Sequence, residues 1–274
     1  METSSSRGFG PAEAADWIAV PGPADDKYSR GVVGFATGSA RYPGAAVLGV
    51  EAALHTGVGM VRYLGAASPT KLVLQRRPEA VTAEGRVQAW VVGSGQDPDA
   101  VDETTEHILE RALADPVPIV LDAGALGRAA EAVGPRVLVP HAGELARLLG
   151  CERGEVQAAP AASALEAAEA LDAVVLLKGH TTYVADAEGA LVEVACAPAW
   201  TATAGAGDAL AGVLGALFAT HANELAADPG CALPLAATAA VLHGLAAERA
   251  SRGGPFTVLA LCAELPAVVR ELRG

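Results

Sequence analysis

The sequence predicts a doubly wound α/β domain with a mostly parallel sheet. Three observations predict it. Short apolar runs alternate with longer Ala-rich, helix-forming stretches. Small or polar residues follow directly on five of those runs, at Thr37, Gly93, Asp122, His141 and Lys178, as they do where a parallel sheet binds ligands. No internal repeat or long linker interrupts residues 27–274, which read as a single domain behind a tail with a short helix at 1–26.

In chain order, residues 1 to about 10 are expected to be disordered, and 12–20 to form a short helix ended by Pro21-Gly22-Pro23. A strand at 32–36 runs into the loop Thr37-Gly38-Ser39-Ala40-Arg41-Tyr42-Pro43-Gly44, and a helix follows at 45–56 with Leu48 and Leu54 inward. Strands at 59–64 and 89–92 flank a short helix around Leu72-Val73-Leu74. The acidic first half of 99–114 suits the positive end of a helix dipole. The strand at 118–121 delivers Asp122, either as a cap for a helix at 125–132 or as a ligand-facing acid. Another strand at 136–139 leads to Pro140-His141-Ala142-Gly143-Glu144 and a helix at 145–149. A helix at 161–171, a buried strand at 173–177 ending in Lys178-Gly179-His180-Thr181-Thr182, and a hairpin of 183–185 with 190–194 come next. Helices at 234–250 and 257–272 close the chain.

The chemistry centres on Thr201-Ala202-Thr203-Ala204-Gly205-Ala206-Gly207-Asp208. Beyond it, Leu210, Val213, Leu214, Leu217 and Phe218 share one helical face, so a helix starts near Ala206. A helix start leaves unpaired N–H groups, and glycines let a phosphate approach them. Asp208 then lies in the first turn, where a carboxylate can take a proton from a hydroxyl that attacks phosphorus. Taken alone, this segment reads first as a plain Gly-rich turn whose Asp caps a core helix. Lys178 can meet a phosphate as a point charge, or be a surface residue at a strand end.

The net charge of −13 argues against nucleic acid or an anionic membrane as partner. Cys151, Cys196, Cys231 and Cys262 show no metal-ligand spacing and read as buried free thiols of a reducing, cytoplasmic compartment. The first 26 residues lack a signal-peptide pattern, and the longest apolar runs are too short for a membrane span.

Together these stretches resemble the ADP/ATP-dependent NAD(P)H-hydrate dehydratases of the ribokinase-like fold, from about Lys27 to the C-terminus. The resemblance is carried by Pro140-His141-Ala142-Gly143-Glu144, by Leu177-Lys178-Gly179 with Thr182, by residues 204–212, and by Pro43-Gly44-Ala45-Ala46 with Glu51-Ala52-Ala53-Leu54. It implies that Ala45, Gly95, His141, Asp122 and Asp208 line the site for the hydrated nicotinamide nucleotide. It implies that Lys178, Gly179, His180, Thr181, Thr182, Gly205, Ala206 and Gly207 hold the adenine nucleotide, with Asp208 as catalytic base. The implied reaction restores NADH or NADPH from the S-form 6-hydroxy hydrate, consuming ADP (ATP in some members) with Mg2+ and releasing AMP and phosphate. A homo-oligomer and a separate NAD(P)H-hydrate epimerase are the implied partners, since only about 26 residues precede Lys27. Three departures stand out. The family's Asp-Ala-Asp-Ala-Leu-Asn is Asp122-Ala123-Gly124-Ala125-Leu126-Gly127 here, its Gly-Pro-Gly-Leu-Gly is Gly93-Ser94-Gly95-Gln96-Asp97, and Ala142 replaces a common Pro.

Two other readings share parts of this pattern. A small-molecule kinase of the same fold, acting on a hydroxymethylpyrimidine, a hydroxyethylthiazole or a sugar, would use the same turn and Asp208 without needing 140–144. A nucleotide-binding regulator would keep the turn without chemistry.

Overall fold

A computed structural model describes residues 7–99 and 101–274. The elements are β1 (Arg7–Gly8), α1 (Pro11–Ala15), β2 (Val32–Ala36), α2 (Pro43–Thr56), β3 (Met60–Tyr63), α3 (Ala67–Arg76), β4 (Ala89–Val92) and α4 (Glu103–Ala114). Then come β5 (Ile119–Leu121), a 3-10 stretch (Ala123–Glu131), β6 (Arg136–Leu138), α5 (Ala142–Leu149), α6 (Arg153–Ala158) and α7 (Pro160–Leu171). The chain ends with β7 (Val174–Leu177), β8 (Thr182–Ala185), β9 (Leu191–Val194), α8 (Ala206–Thr220), α9 (Ala222–Ala227), α10 (Ala232–Ser251) and α11 (Val258–Arg273).

The strands form one sheet in the order β1-β9-β8-β7-β6-β5-β4-β2-β3. All pairs from β3 to β7 are parallel, and β7-β8 and β8-β9 are antiparallel. The central strands are apolar on both faces because helices cover both. In β4, Ala89 and Val91 pack toward α2, α8, α10 and α11, while Trp90 and Val92 pack toward α4, α5 and α7. Parallel pairing sends the carboxyl ends of β2, β4, β5, β6 and β7 to one edge, which is what places the predicted site residues together.

Several expectations meet differences with physical causes. Arg7–Gly8, inside the stretch expected to be disordered, pairs with β9 in parallel and is tied to the fold. The helix expected at 12–20 is Pro11–Ala15, with Ala14 and Ile18 buried. Residues 1–6 lie outside the described residues. The helix expected at 125–132 is a 3-10 stretch, in keeping with the low helix propensity of Gly124 and Gly127. The helix expected from 99 starts at Glu103, where Asp102 caps it by accepting from the Thr105 amide. Leu48 and Leu54 are only half-buried; Ala45, Ala46, Gly49, Val50, Ala52 and Ala53 form the buried face of α2. That face is small because α2 runs close against α8, with a Cβ at Gly212 striking the Gly49 carbonyl. Cys262 is buried, whereas Cys151, Cys196 and Cys231 are half-buried, and all four are free. The stretch Pro229–Ser251 is, against expectation, long and apolar enough to cross a membrane, but 72% of its apolar window is buried inside the fold. It is apolar over most of its surface because most of it is enclosed.

Candidate active site

The site starts at the first turn of α8. Gly205 adopts φ +93°, a left-handed conformation that turns the chain sharply into the helix, and a Cβ there would strike Leu48. This start of a 15-residue helix presents first-turn amides and the positive dipole end to the cleft. A Cβ on Gly207 would lie 3.4 Å from Lys178 Nζ, so the lysine ammonium rests directly over the turn.

Lys178 is carried there by β7. Its amide donates to the Pro140 carbonyl at 2.8 Å, tying the ends of β6 and β7 together. Its Nζ lies 2.8 Å from Asp122 Oδ1 and 3.9 Å from Glu144 Oε2. Burial works against the charge on Lys178, but the carboxylates of Asp122 and Glu144 outweigh it and hold its pKa above the ordinary lysine value. Asp122 is buried at the end of β5, and its Oδ2 accepts from the Ser94 hydroxyl at 2.8 Å. A proline at 94 could not make that bond.

Asp208 is half-buried beside this network. Burial pushes its pKa up, the Asp122 charge pushes it further, and Lys178 pulls it back, leaving it at about 6. It is therefore a carboxylate near neutral pH, with a basicity well above that of a surface aspartate.

His141 caps α5. Its Nδ1 accepts from the amides of Gly143 and Glu144 at 3.0 and 3.1 Å, and Glu144 Oε2 accepts from the His141 amide at 2.7 Å. The neutral ring therefore carries its proton on Nε2.

Two cavities flank the network. One, of about 520 Å³, is lined by His141, Lys178, Gly179, His180, Thr182, Ala206 and Gly207. That gathers most of the set expected for the adenine nucleotide, together with His141, which was expected on the other side. Thr181 instead faces a neighbouring cavity of about 540 Å³ that shares His141, Lys178, Gly179 and His180. Gly205 sits behind the turn, against Leu48. The second flanking cavity, of about 660 Å³, is lined by Tyr42, Gln96, Asp97, Gly124, Gly127 and Glu144 among others. Ala45 and Gly95 meet beside it: a Cβ on Gly95 would strike the Ala45 Cβ and come within 3.0 Å of the Tyr42 carbonyl.

Sequence reasoning missed His243. It lies buried in α10, lines the 520 Å³ cavity, and shares a hydrogen bond between its Nε2 and the Ala206 carbonyl at 2.9 Å. Burial pushes its pKa down to about 4, so it is neutral and donates that bond. A single His in an Ala-rich helix carries no local signal of a contact 37 residues away. Gln96 was likewise named only as a departure from a pattern.

A mostly parallel sheet with a Gly-x-Gly-Asp helix start at its carboxyl edge, a lysine over the turn and a cavity on either side is the arrangement of the ribokinase-like proteins. Within them, the chain belongs to the NAD(P)H-hydrate dehydratase family, whose sequence model matches residues 33–264. It is 43% identical over 225 residues to a bifunctional NAD(P)H-hydrate repair enzyme of Mycobacterium tuberculosis, covering 78% of this chain and 46% of that protein. The chain thus spans about half the length of such bifunctional relatives. It is 37% identical over 231 residues to an ADP-dependent (S)-NAD(P)H-hydrate dehydratase of Xanthomonas campestris, covering 76% of this chain and 79% of that one. An ADP/ATP-dependent NAD(P)H-hydrate dehydratase of Bacillus subtilis, co-crystallised with ATP/Mg2+, superposes with a TM-score of 0.86 at 25% identity, covering 98% of this chain and 100% of that one.

Proposed function

We propose that this chain restores NADH or NADPH from their (6S)-hydrates at the expense of ADP, releasing AMP and phosphate. The observation that carries the reading is Asp208, a carboxylate with a pKa of about 6, in the first turn of α8, where the charges of Lys178 and Asp122 both act on it. The named dehydratase relatives support it. ATP is the other donor to be tried.

The chemistry follows from leaving groups. Hydroxide leaves poorly at neutral pH, and phosphate leaves well. Asp208 takes the proton of the C6 hydroxyl as its oxygen attacks the terminal phosphorus of ADP, and AMP departs with the bridging oxygen. The amides of Gly205, Gly207 and Asp208 and the Lys178 ammonium face the charge that develops on the transferred group, while the Ala206 amide donates to the Thr203 carbonyl. The ring nitrogen lone pair then expels phosphate from C6, and loss of the C5 proton restores the C5–C6 double bond. Ala45 and Gly95, both without bulk, let the ring approach the turn. The 520 Å³ cavity takes the adenosine half of the donor.

Among the described residues, no three His, Cys, Asp or Glu side chains converge as metal ligands. Mg2+ keeps its waters and binds through substrate phosphates with one or two carboxylates. Asp122 and Glu144, which accept here from Lys178, Ser94 and the His141 amide, are the carboxylates that would hold it through its waters, and when bound it would neutralise phosphate charge.

With Asp208 acting on the S-hydrate, the R form needs an epimerase activity. The cytoplasm, where free thiols persist, is the compartment this reading expects. The expected homo-oligomer is checked by light scattering on the purified protein. The test of the reaction is to mix protein, S-hydrate, Mg2+ and either ADP or ATP, and to follow reduced-nicotinamide absorbance and AMP. Absorbance restored in step with AMP supports the reading. No signal with either nucleotide from folded protein refutes it.

A further inference from the structure

We infer that Arg147 and Arg153, which both lie against Gly143 at the start of α5, bind a phosphate group of the hydrated dinucleotide, clear of the phosphoryl group that is transferred. The inference rests on the dehydratase reading and deepens it.

The first turn of α5 is the wall between two cavities. Arg147 lines the 660 Å³ cavity on one side, with Glu144. Arg153, the first residue of α6, lines the 540 Å³ cavity on the other, with His141 and Ala142. The two arginines converge on one residue. Arg147 Nε donates to the Gly143 carbonyl at 3.4 Å, and a Cβ at Gly143 would lie 3.8 Å from Arg153 Cδ. Both residues are exposed, so an arriving anion displaces only water.

Elsewhere on these walls charge is matched. Asp97 pairs with Arg41, Arg128 with Glu106 and Glu131, and Lys178 with Asp122. Arg147 and Arg153 form no ion pair among the described residues, in a chain whose net charge is −13. Glu144 and Glu155, on the same two helices, accept instead from the His141 amide at 2.7 Å and the Glu152 amide at 2.8 Å. The amides of Gly143 and Glu144 are taken too, since both donate to His141 Nδ1. The binding group at this place is therefore the guanidinium pair, with the positive end of the α5 dipole behind it.

The hydrate supplies the anion. In the dehydratase reading its ring lies at Asp208, the 520 Å³ cavity takes the adenosine of the donor, and Lys178 faces the transferred group. What remains to be held is the rest of the dinucleotide, with a diphosphate bridge in both hydrates and a 2′-phosphate in the NADPH form. Glu144 shows that this place adjoins the transfer site, because its Oε2 comes within 3.9 Å of Lys178 Nζ. Arginine suits such a group because its fork of N–H donors meets two phosphate oxygens at once.

The test is steady-state kinetics of Arg147→Gln, Arg153→Gln and the double variant, varying in turn the S-hydrates of NADH and NADPH and the donor nucleotide. Both side chains are exposed, so the variants should fold as the wild type does. Each single substitution should raise KM for the hydrate about tenfold, the effect of one charge-assisted hydrogen bond, and the double variant should lose more. KM for the donor should stay within about twofold. Lysine at either position should recover part of the loss, and added salt should weaken hydrate binding more in the wild type than in the double variant. Equal losses on the two hydrates assign the arginines to the diphosphate bridge, and a loss confined to the NADPH hydrate assigns them to the 2′-phosphate; both outcomes support the inference. An unchanged KM for both hydrates in the double variant overturns it and leaves the dehydratase reading intact. An equal rise in KM for the donor also overturns it, since the arginines would then hold the donor. No turnover of either hydrate by folded wild-type protein overturns the dehydratase reading and this inference with it.

Discussion

Replacing Asp122 by Asn changes one charge and almost no volume, and the structure fixes the sign of the effect on Asp208. Asp122 raises the pKa of Asp208 by like charge and occupies Lys178, whose Nζ it holds at 2.8 Å. The substitution removes the repulsion and frees the lysine to act on Asp208. Both effects favour the ionised form of Asp208, while its burial still holds the pKa above the ordinary 3.8. A change on the order of 1.4 kcal/mol, reasonable for charges within one site, moves the pKa from about 6 to about 5. In the proposed reaction Asp208 works as the carboxylate, so activity should rise with pH through this value. At pH 5 the wild type then keeps roughly a tenth of its plateau activity and the variant about half. The assay is kcat/KM for the hydrate between about pH 4.5 and 8, each protein scaled to its own plateau. The plateau itself should fall, since Asp122 also positions Lys178 and is one of the two carboxylates that would hold Mg2+. An acid limb that stays put or moves upward would refute the electrostatic account of Asp208.

Neighbouring features carry further expected outcomes. Glu51, 1% exposed, accepts from Arg76 and Arg77 at 2.9 and 2.7 Å, so Glu51→Gln should lower stability by about 2 kcal/mol, discounted because both guanidiniums reach water. Burial works against the Glu51 carboxylate and the two arginines outweigh it, so its folded pKa lies below 4.5; the stability it adds is present above 4.5 and lost as pH falls through the folded value. The difference in melting temperature between the two proteins should therefore narrow in acid. Gly212→Ala sets a methyl against the Gly49 carbonyl and should destabilise by about 1–3 kcal/mol in a denaturant titration. His243→Phe removes the donor to the Ala206 carbonyl beside the nucleotide cavity, and should raise KM for ADP by about tenfold while kcat changes little.

The sheet was legible because its central strands are buried on both faces and read as unbroken apolar runs, as in Val32–Ala36 and Val174–Leu177. The grouping of the candidate site was legible where polar residues follow a strand end, as at Asp122, His141 and Lys178, because parallel pairing alone brings those ends together. The features that escaped have a common cause. The pairing of Arg7–Gly8 with β9 uses backbone groups and leaves no side-chain pattern. The short helix α9 carries too few residues for a period. His243 and Gln96 acquire meaning only from partners 37 and 60 residues away, Ala206 and Ala36, which local sequence does not display.

The most direct test of the central claim is the dehydration assay on Asp208→Asn beside the wild type. Both would be supplied with the S-hydrate, Mg2+ and the nucleotide donor that supports turnover. The wild type should restore one reduced nicotinamide for each AMP released. The variant, folded and still binding nucleotide, should be slower by about 10²–10⁴-fold, the usual contribution of a general base. A variant within about tenfold of wild type would show that Asp208 does not take the proton, since removing a working base exceeds that loss.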